Sequence, residues 1–305
     1  MRDGVSPSRV GVGDGRFPTL RAFLEARFPR VDDWAGRLAR GEVLDEQGRP
    51  AVGDRPCAPG MMLWYWRSLP PEPQVPFALE VLHQDEHLVV VDKPHFLPAT
   101  PGGRHLQETA LVRLKRQLGI ATLAPMHRLD RETAGVMAFT VQPATRHAYQ
   151  SLLRDRQVHK VYEAIAPWRA DLALPLVAHH RLEEPPGADF MQMRVVEGAE
   201  PNAETLVELM ARIGDGSLAH YRLTPRTGRK HQLRAQMNAL GLPLAGDRIY
   251  PVLLPDTAPG EEDYSRPLQL LAREFGFTDP LSGLERHFTS RRQLALALSS
   301  PGPGR

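Results

Sequence analysis

The feature that most constrains the fold is a charge-dense segment that leads directly into an apolar run. Residues 127–135 read HRLDRETAG, and VMAF follows at 136–139. A short apolar run of this kind is typical of a strand buried on both faces. We therefore predict a central strand over 135–141, with a charged loop at its edge.

Asp130 lies in this loop between Arg128 and Arg131. Nearby cations favour the ionised form of a carboxylate, so Asp130 is a candidate nucleophile or base beside a phosphate-binding surface. A solvated salt-bridge cluster is one alternative, and the HRD segment of a protein kinase is another. The kinase alternative is excluded because the sequence has neither its Gly-rich loop nor its DFG motif.

Residues 127–135 resemble the signature of the RluA family of RNA pseudouridine synthases, with Ala134 where that family usually has Ser. Residues 158–167, VHKVYEAIAP, are similar to its second motif. Their alternation predicts a strand that displays Lys160 and Tyr162 on the same face. The opening hairpin of the family ends in a Lys-Pro pair, here Lys93 and Pro94, which either ends a strand or contacts RNA.

A third segment, TGRKHQLR at 227–234, is similar to the remaining motif of the same family, and Gly246, Asp247 and Tyr250 continue it. Gln236 and Leu271 stand where the family commonly has histidine. The resemblance covers about residues 79–292.

The resemblance implies an α+β fold with a large, mainly antiparallel mixed sheet, flanking helices and a central active cleft. It also implies isomerisation of a specific uridine in structured RNA, either rRNA or tRNA, to pseudouridine. In that reaction Asp130 acts at the sugar, by attacking C1′ or by taking a proton from C2′. Arg234 holds Asp130 through a charge-assisted pair, and Tyr162 stacks on the base and helps to remove the C5 proton.

The same resemblance implies a set of RNA-binding side chains around the catalytic ones. They are Arg128, Arg131, Lys160, Arg229, Lys230 and His231. No step of the reaction requires a cofactor or a metal. The alternatives are a catalytically inactive RNA-binding protein on the same scaffold and a metal-dependent nuclease or hydrolase. The sequence has twelve histidines but no HExxH motif, so it offers little support for the metal-dependent alternative.

Basic residues are concentrated in two segments, although the net charge is only +2. Residues 104–169 contain 11 Lys and Arg against 5 Asp and Glu, and residues 222–248 contain 6 against 1. Such clustering is expected of a protein that binds phosphates.

The remaining chain predicts a second, smaller domain. Residues 1–15 lack periodicity and are predicted to be a disordered tail. Residues 16–70 predict two short helices and a final strand, and they resemble the small RNA-binding module named after ribosomal protein S-four. A plain structural cap is the alternative. Residues 71–78 belong to a proline-rich linker, residues 79–292 form the catalytic domain, and residues 293–305 form a tail.

Cellular location and assembly have only indirect signals. The single cysteine, Cys57, fits a reducing compartment. No apolar run approaches the roughly 20 residues that span a bilayer. We expect a cytoplasmic monomer that has RNA as its partner and does not contact membranes.

Overall fold

The structure is a computed structural model, which describes residues 4–299 except 14, 30, 32, 68–71, 186–190, 256 and 259. The chain divides into two compact units, Met1–Glu72 and Pro73–Arg305. Among the residues described, no helix is both long and apolar enough to cross a membrane.

The first unit packs two short helices against a small antiparallel sheet. Its elements are β1 (Ser8–Gly11), α1 (Leu20–Arg27), α2 (Trp34–Ala39), β2 (Val43–Leu44) and β3 (Met62–Tyr65), and the strand order is β1-β3-β2. The Thr19 hydroxyl accepts a hydrogen bond from Ala22 N at 3.2 Å and so caps α1. Leu24, Trp34 and Leu63 are buried in the core between helices and sheet. Both predicted helices are present.

The prediction of a disordered tail over residues 1–15 is wrong for the strand β1. Residues Ser8–Gly11 pair with β3, so their backbone groups are hydrogen-bonded within the sheet. Val10 and Val12 pack against the core of the unit. The alternation of these two valines was the available signal, and the surrounding glycines obscured it. Residues 1–3 and 14 of the predicted tail lie outside the described residues.

The second unit contains an 11-stranded sheet with helices packed on it. Its first elements are β4 (Glu80–Gln84), β5 (Leu88–Lys93), α3 (Ala110–Leu118), β6 (Ala124–Pro125), β7 (Ala134–Thr140), α4 (Arg146–Arg154) and β8 (Val158–Pro167). The others are β9 (Leu176–Glu183), β10 (Arg194–Val196), β11 (Ala203–Ile213), β12 (Leu218–Pro225), α5 (Gln232–Ala239), β13 (Leu270–Thr278), β14 (Glu285–Thr289) and a 3-10 helix (Ala295–Ser299).

The strand order is β10-β9-β11-β12-β8-β13-β7-β5-β4, with β14 paired to β13 and β6 paired to β7. The β13–β7 pair is parallel, and the other strand pairs of this sheet are antiparallel. The predicted α+β class with a mainly antiparallel mixed sheet is therefore confirmed. All seven residues of β7 are buried, as expected for the central strand that the apolar run predicted.

The boundaries of the second unit differ from the predicted ones at both ends. Val75 is buried, and the Arg113 guanidinium donates to the carbonyls of Val75 and Phe77 at 2.7 and 2.8 Å, so this part of the predicted linker is packed. At the other end, Leu294 is buried, and Leu296 N donates to the Gln269 side chain. The predicted tail is thus wrong for residues 294–299. Residues 71 and 300–305 lie outside the described residues.

Gly135, the second residue of β7, lies directly against Ala272 of β13. Its φ is +112°, and a Cβ added there would lie 2.7 Å from Ala272 N and closer still to Ala272 O. A side chain at this position would therefore push β7, the strand that follows the charged loop, away from β13.

We predict that Gly135→Ala lowers the free energy of unfolding by more than about 3 kcal/mol, because backbone strain and overpacking both act there. Gly119→Ala is the control, since Gly119 has φ +70° but no atom within 4 Å of an added Cβ. Its cost should be backbone strain alone, about 1 to 2 kcal/mol. Urea unfolding measures both values, and equal costs would contradict the close approach at Gly135.

Candidate active site

The nine side chains predicted for catalysis or RNA binding line one cleft of about 580 Å³ in the second unit. Asp130 comes from the loop before β7, Tyr162 from β8 and Arg234 from α5. Segments far apart in sequence therefore meet here because β7, β13 and β8 are neighbours in the sheet.

Arg234 links two carboxylates at the base of this cleft, although its own side chain is only 1% exposed. Its Nε and Nη2 atoms donate to the Asp247 carboxylate at 2.8 and 2.6 Å. Its Nη1 atom lies 3.5 Å from Asp130 Oδ2. Burial opposes the charge of Arg234, but the hydrogen bonds and charge of Asp247, followed by Asp130, raise the pKa of the guanidinium. Arg234 is thus a fixed cation beside Asp130.

Asp247 belongs to the third sequence motif, which assigns it no role, and the structure provides one. Gly246, which has a φ of +74°, allows the chain to turn immediately before Asp247. One oxygen of Asp247 also accepts from Ile249 N at 2.7 Å and from Tyr250 N at 3.1 Å. The carboxylate is therefore fixed by its own turn and holds Arg234 in place. The Gly-Asp pair was the signal that could have predicted this turn.

Tyr162 lies on the cleft wall, close enough to Asp130 for the carboxylate charge to act on its phenol. Burial, and then the negative charge of Asp130, raise the pKa of the Tyr162 phenol. The hydroxyl therefore stays protonated at neutral pH. This state suits stacking on a base, and help from Tyr162 in removing the C5 proton stays a prediction.

Lys93 is fully buried at the end of β5, beneath the loop that carries Asp130. Its Nζ atom donates to the carbonyls of Pro94, Leu97 and Arg131 at 2.9, 2.7 and 3.1 Å. Burial lowers the pKa of this ammonium group to about 7. Lys93 thus joins the loop that carries Asp130, through the Arg131 carbonyl, to the segment after β5. This role lies outside the two alternatives that its sequence position suggested.

Three of the predicted RNA-binding residues present exposed charge at the cleft. Arg128 and Arg229 are exposed, and the exposed Lys230 forms an ion pair with Glu184 at 3.2 Å. Exposed cations at the mouth of a cleft can contact a phosphate backbone without first breaking buried interactions.

Two other predicted RNA-binding residues are occupied within the protein. The Arg131 guanidinium pairs with Glu132 at 3.3 Å and also with Glu262. Lys160 Nζ donates to the carbonyl of Thr227 at 3.0 Å. Both side chains line the cleft, but their described partners make them supports of its loops.

Gln232 shapes the loop that leads to α5. Its Oε1 atom accepts from Thr227 Oγ1 at 2.7 Å and from Arg229 N at 3.0 Å, while its amide donates to Thr205 Oγ1 at 3.0 Å. His231, the next predicted RNA-binding residue, is turned inward by this loop, with its side chain 9% exposed and Nε2 3.9 Å from Asp130 Oδ2.

Gln236 and Leu271, which stand where the family commonly has histidine, contribute to packing. Gln236 is buried, accepts from Thr205 Oγ1 at 2.6 Å and donates to the carbonyl of Ala178 at 2.9 Å, so it ties α5 to β11 and β9. Leu271 is fully buried in an apolar cluster. Within the described ranges, no group of three or more His, Cys, Asp or Glu side chains could hold a metal ion.

Comparisons with known proteins identify the family of this chain. A family model described as RNA pseudouridylate synthase matches residues 87–239. The dual-specificity RNA pseudouridine synthase RluA of Haemophilus influenzae is 32% identical over 220 residues, which cover 70% of this chain and 93% of that protein. An uncharacterized RNA pseudouridine synthase of Synechocystis is 32% identical over 218 residues, covering 71% of this chain and 73% of that protein.

A solved structure, human RNA pseudouridylate synthase domain containing 4, matches with a TM-score of 0.52 and 27% identity, covering 72% of this chain and 91% of that chain. Human RNA pseudouridylate synthase domain containing 1 shares the fold, with a TM-score of 0.56 at 19% identity over 73% of this chain and 86% of that chain. The chain therefore belongs to the RNA pseudouridylate synthase family, and its relatives group it with the RluA-type enzymes.

We predict that Asp247→Asn lowers the free energy of unfolding by about 3 kcal/mol, because the buried Arg234 charge loses its main partner. Asp155→Asn is the control, since Asp155 pairs with Arg154 on an exposed surface. That change should have little effect on the free energy of unfolding, because exposed ion pairs contribute little to stability. Urea unfolding of both variants measures the difference, and equal losses would show that the Asp247–Arg234 pair contributes no more than a surface pair.

Proposed function

We propose that this protein converts a specific uridine of structured RNA, in rRNA or tRNA, into pseudouridine without a cofactor or metal. The observation that carries the proposal is the meeting of Asp130, Tyr162 and Arg234 in one cleft of a chain that belongs to the pseudouridylate synthase family. We further propose that it acts as a monomer in the cytoplasm.

The isomerisation breaks the bond from N1 to C1′, turns the base, joins C5 to C1′ and removes the C5 proton. Asp130 is 31% exposed at its side chain, so a ribose in the cleft can reach the carboxylate. Whether Asp130 attacks C1′ or takes a proton from C2′, the reaction needs an ionised and oriented carboxylate. Arg234 supplies the fixed positive charge that meets this need.

The target nucleotide has to leave its stack to reach Asp130, which costs a few kcal/mol. Tyr162 offers a ring on which the extruded base can stack. Arg128, exposed at the cleft, is available to hold the phosphate or to fill the gap left in the RNA. An inactive RNA-binding protein would need the exposed cations but not the buried Asp247–Arg234 pair directed at Asp130.

We expect Asp130→Asn to remove turnover while folding and RNA binding stay nearly intact, because the change preserves shape and deletes only the ionised oxygen. The assay is tritium release from RNA that contains 5-tritiated uridine. Asp171→Asn, in an exposed pair with Arg169, serves as the control and should retain wild-type turnover. Turnover by Asp130→Asn within about tenfold of wild type would refute the assignment of Asp130 as the reacting group.

The first unit supports a second part of the proposal, that residues 16–70 add phosphate contacts to those of the cleft. Arg27 is exposed within these residues, and Arg9, in β1 of the same unit, is exposed as well. Other arginines are already paired with carboxylates of the same unit, including Arg40 with Glu42 at 2.9 Å and Arg49 with Asp45 at 2.9 Å. We therefore expect this unit to add only a few contacts with RNA.

Removing residues 1–72 should raise KM and leave kcat nearly unchanged, the result expected when only uniform binding is removed. The dependence of RNA affinity on salt should become shallower by about 0.7 to 0.9 in log-log slope for each phosphate that the shortened chain no longer binds. RNA titrations at several salt concentrations compare the full chain with one that starts at Pro73. Unchanged KM and slope together with a lower melting temperature would identify the first unit as a structural cap.

A further inference from the structure

His231 has an unusual backbone conformation directly beside the proposed reacting group. Its φ and ψ are 51° and 21°, in the left-handed region, and it occupies the N-cap position of α5 without a capping hydrogen bond from its side chain. Such a conformation is strained for a non-glycine residue. Strain of this kind is retained where the surrounding structure fixes it, and it occurs often at active sites.

The conformation directs the imidazole toward two partners. Nε2 lies 3.9 Å from Asp130 Oδ2, and Nδ1 lies 3.5 Å from the Tyr250 hydroxyl. The rings of His231 and Tyr250 pack edge to face with centroids 6.0 Å apart. Tyr250 is itself fixed, because its hydroxyl accepts from Met193 N at 2.6 Å and its own N–H donates to Asp247.

These neighbours determine which nitrogen of His231 carries the proton. Burial lowers the pKa of the imidazole, so the neutral form with a single N–H dominates at neutral pH. A bare lone pair on Nε2 would face the negative charge of Asp130 and be repelled. The Tyr250 hydroxyl lies 3.3 Å from the Met193 carbonyl and 3.5 Å from Nδ1, and it can share its proton between these two acceptors. This arrangement leaves the His231 proton on Nε2, toward Asp130.

The guanidinium of Arg234 and the imidazole of His231 approach the same carboxylate oxygen of Asp130. Arg234 Nη1 is 3.5 Å and His231 Nε2 is 3.9 Å from Oδ2. These distances are longer than hydrogen bonds, as is common for catalytic contacts before substrate binds. With Oδ2 held from two sides, Oδ1 is the oxygen left to meet the ribose.

We propose that His231 is a positioning residue that, with Arg234, holds Oδ2 of Asp130 and thereby presents Oδ1 to the ribose of the target uridine. This inference rests on the proposed function. It replaces the sequence-based prediction that His231 contacts RNA, and it gives Tyr250 the task of orienting the imidazole.

Two amide variants distinguish the loss of the contact with Asp130 from a defect in folding. His231→Gln keeps an N–H donor near the position of Nε2, whereas the amide of His231→Asn is too short to reach Asp130. Asn tolerates the left-handed backbone better than most residues, so its defect is not expected to come from strain. His147→Gln, at an exposed position of α4, is the control. Single-turnover pseudouridine formation at saturating RNA and RNA affinity are measured for each protein and for wild type.

We expect His231→Asn to lower the single-turnover rate at least about tenfold, the usual effect of losing a hydrogen bond to a charged group. His231→Gln should recover most of that rate, and neither variant should change RNA affinity more than about twofold, since positioning acts on the chemical step. Weaker RNA binding with a normal rate at saturation would overturn the proposal in favour of an RNA contact. Equal rate losses in both variants would overturn it in favour of a purely structural role.

Tyr250→Phe provides an independent test that keeps the ring and removes only the hydroxyl. It should slow the single-turnover rate several-fold with unchanged RNA affinity, and a wild-type rate would overturn the proposed orientation of His231.

The wild-type protein separates this inference from the proposed function. If wild type forms no pseudouridine in any rRNA or tRNA tested, the proposed function fails and the inference fails with it. If wild type is active and His231→Asn is equally active, only the inference fails.

Discussion

The buried ion pair between Arg234 and Asp247 is the interaction on which the site depends. A guanidinium that is 1% exposed needs a carboxylate partner inside the protein, and Asp247 provides it with two hydrogen bonds. A buried charge without its partner is strongly destabilising. Because this pair is satisfied without Asp130, the third nitrogen of Arg234 remains directed at a carboxylate that is still open to substrate. A fixed cation of this kind needs no rearrangement when charge shifts in the reaction.

The fold places the other supports around that pair. Gly135 lets β7 approach β13, and this approach brings the loop of Asp130 to the strand that lies beside Tyr162. Lys93 ties the same loop, through the Arg131 carbonyl, to the segment after β5, through the carbonyls of Pro94 and Leu97. Asp130 is therefore constrained by backbone on one side and by the Arg234 side chain on the other. Such rigidity reduces the cost of reaching the reactive geometry.

Sequence motifs were sufficient to predict the α+β class, the central strand and the convergence of Asp130, Tyr162 and Arg234 on one cleft. They could not show how side chains pair across the fold. Arg131 was predicted to bind RNA from the family resemblance, yet it pairs with Glu262, whose position 131 residues later in the chain gives no local signal.

The same limit applies to burial. A lysine at the end of a strand is usually solvated, and only the folded chain shows that Lys93 is enclosed. His231 is similar, because its inward direction follows from a left-handed backbone angle that the segment RKHQLR does not reveal. In both cases tertiary packing, which the motif does not specify, determines what the side chain contacts.

The most direct test of this account is a double-mutant cycle that joins Arg234→Gln and Asp247→Asn. Single-turnover rates at saturating RNA are measured for wild type, both single variants and the double variant. If Asp247 acts on catalysis only by fixing Arg234, the double variant should be no slower than Arg234→Gln alone, since residues that act as a unit have non-additive effects. If the two rate reductions multiply, Asp247 and Arg234 act independently, and the claim that one buried pair orients Asp130 is wrong.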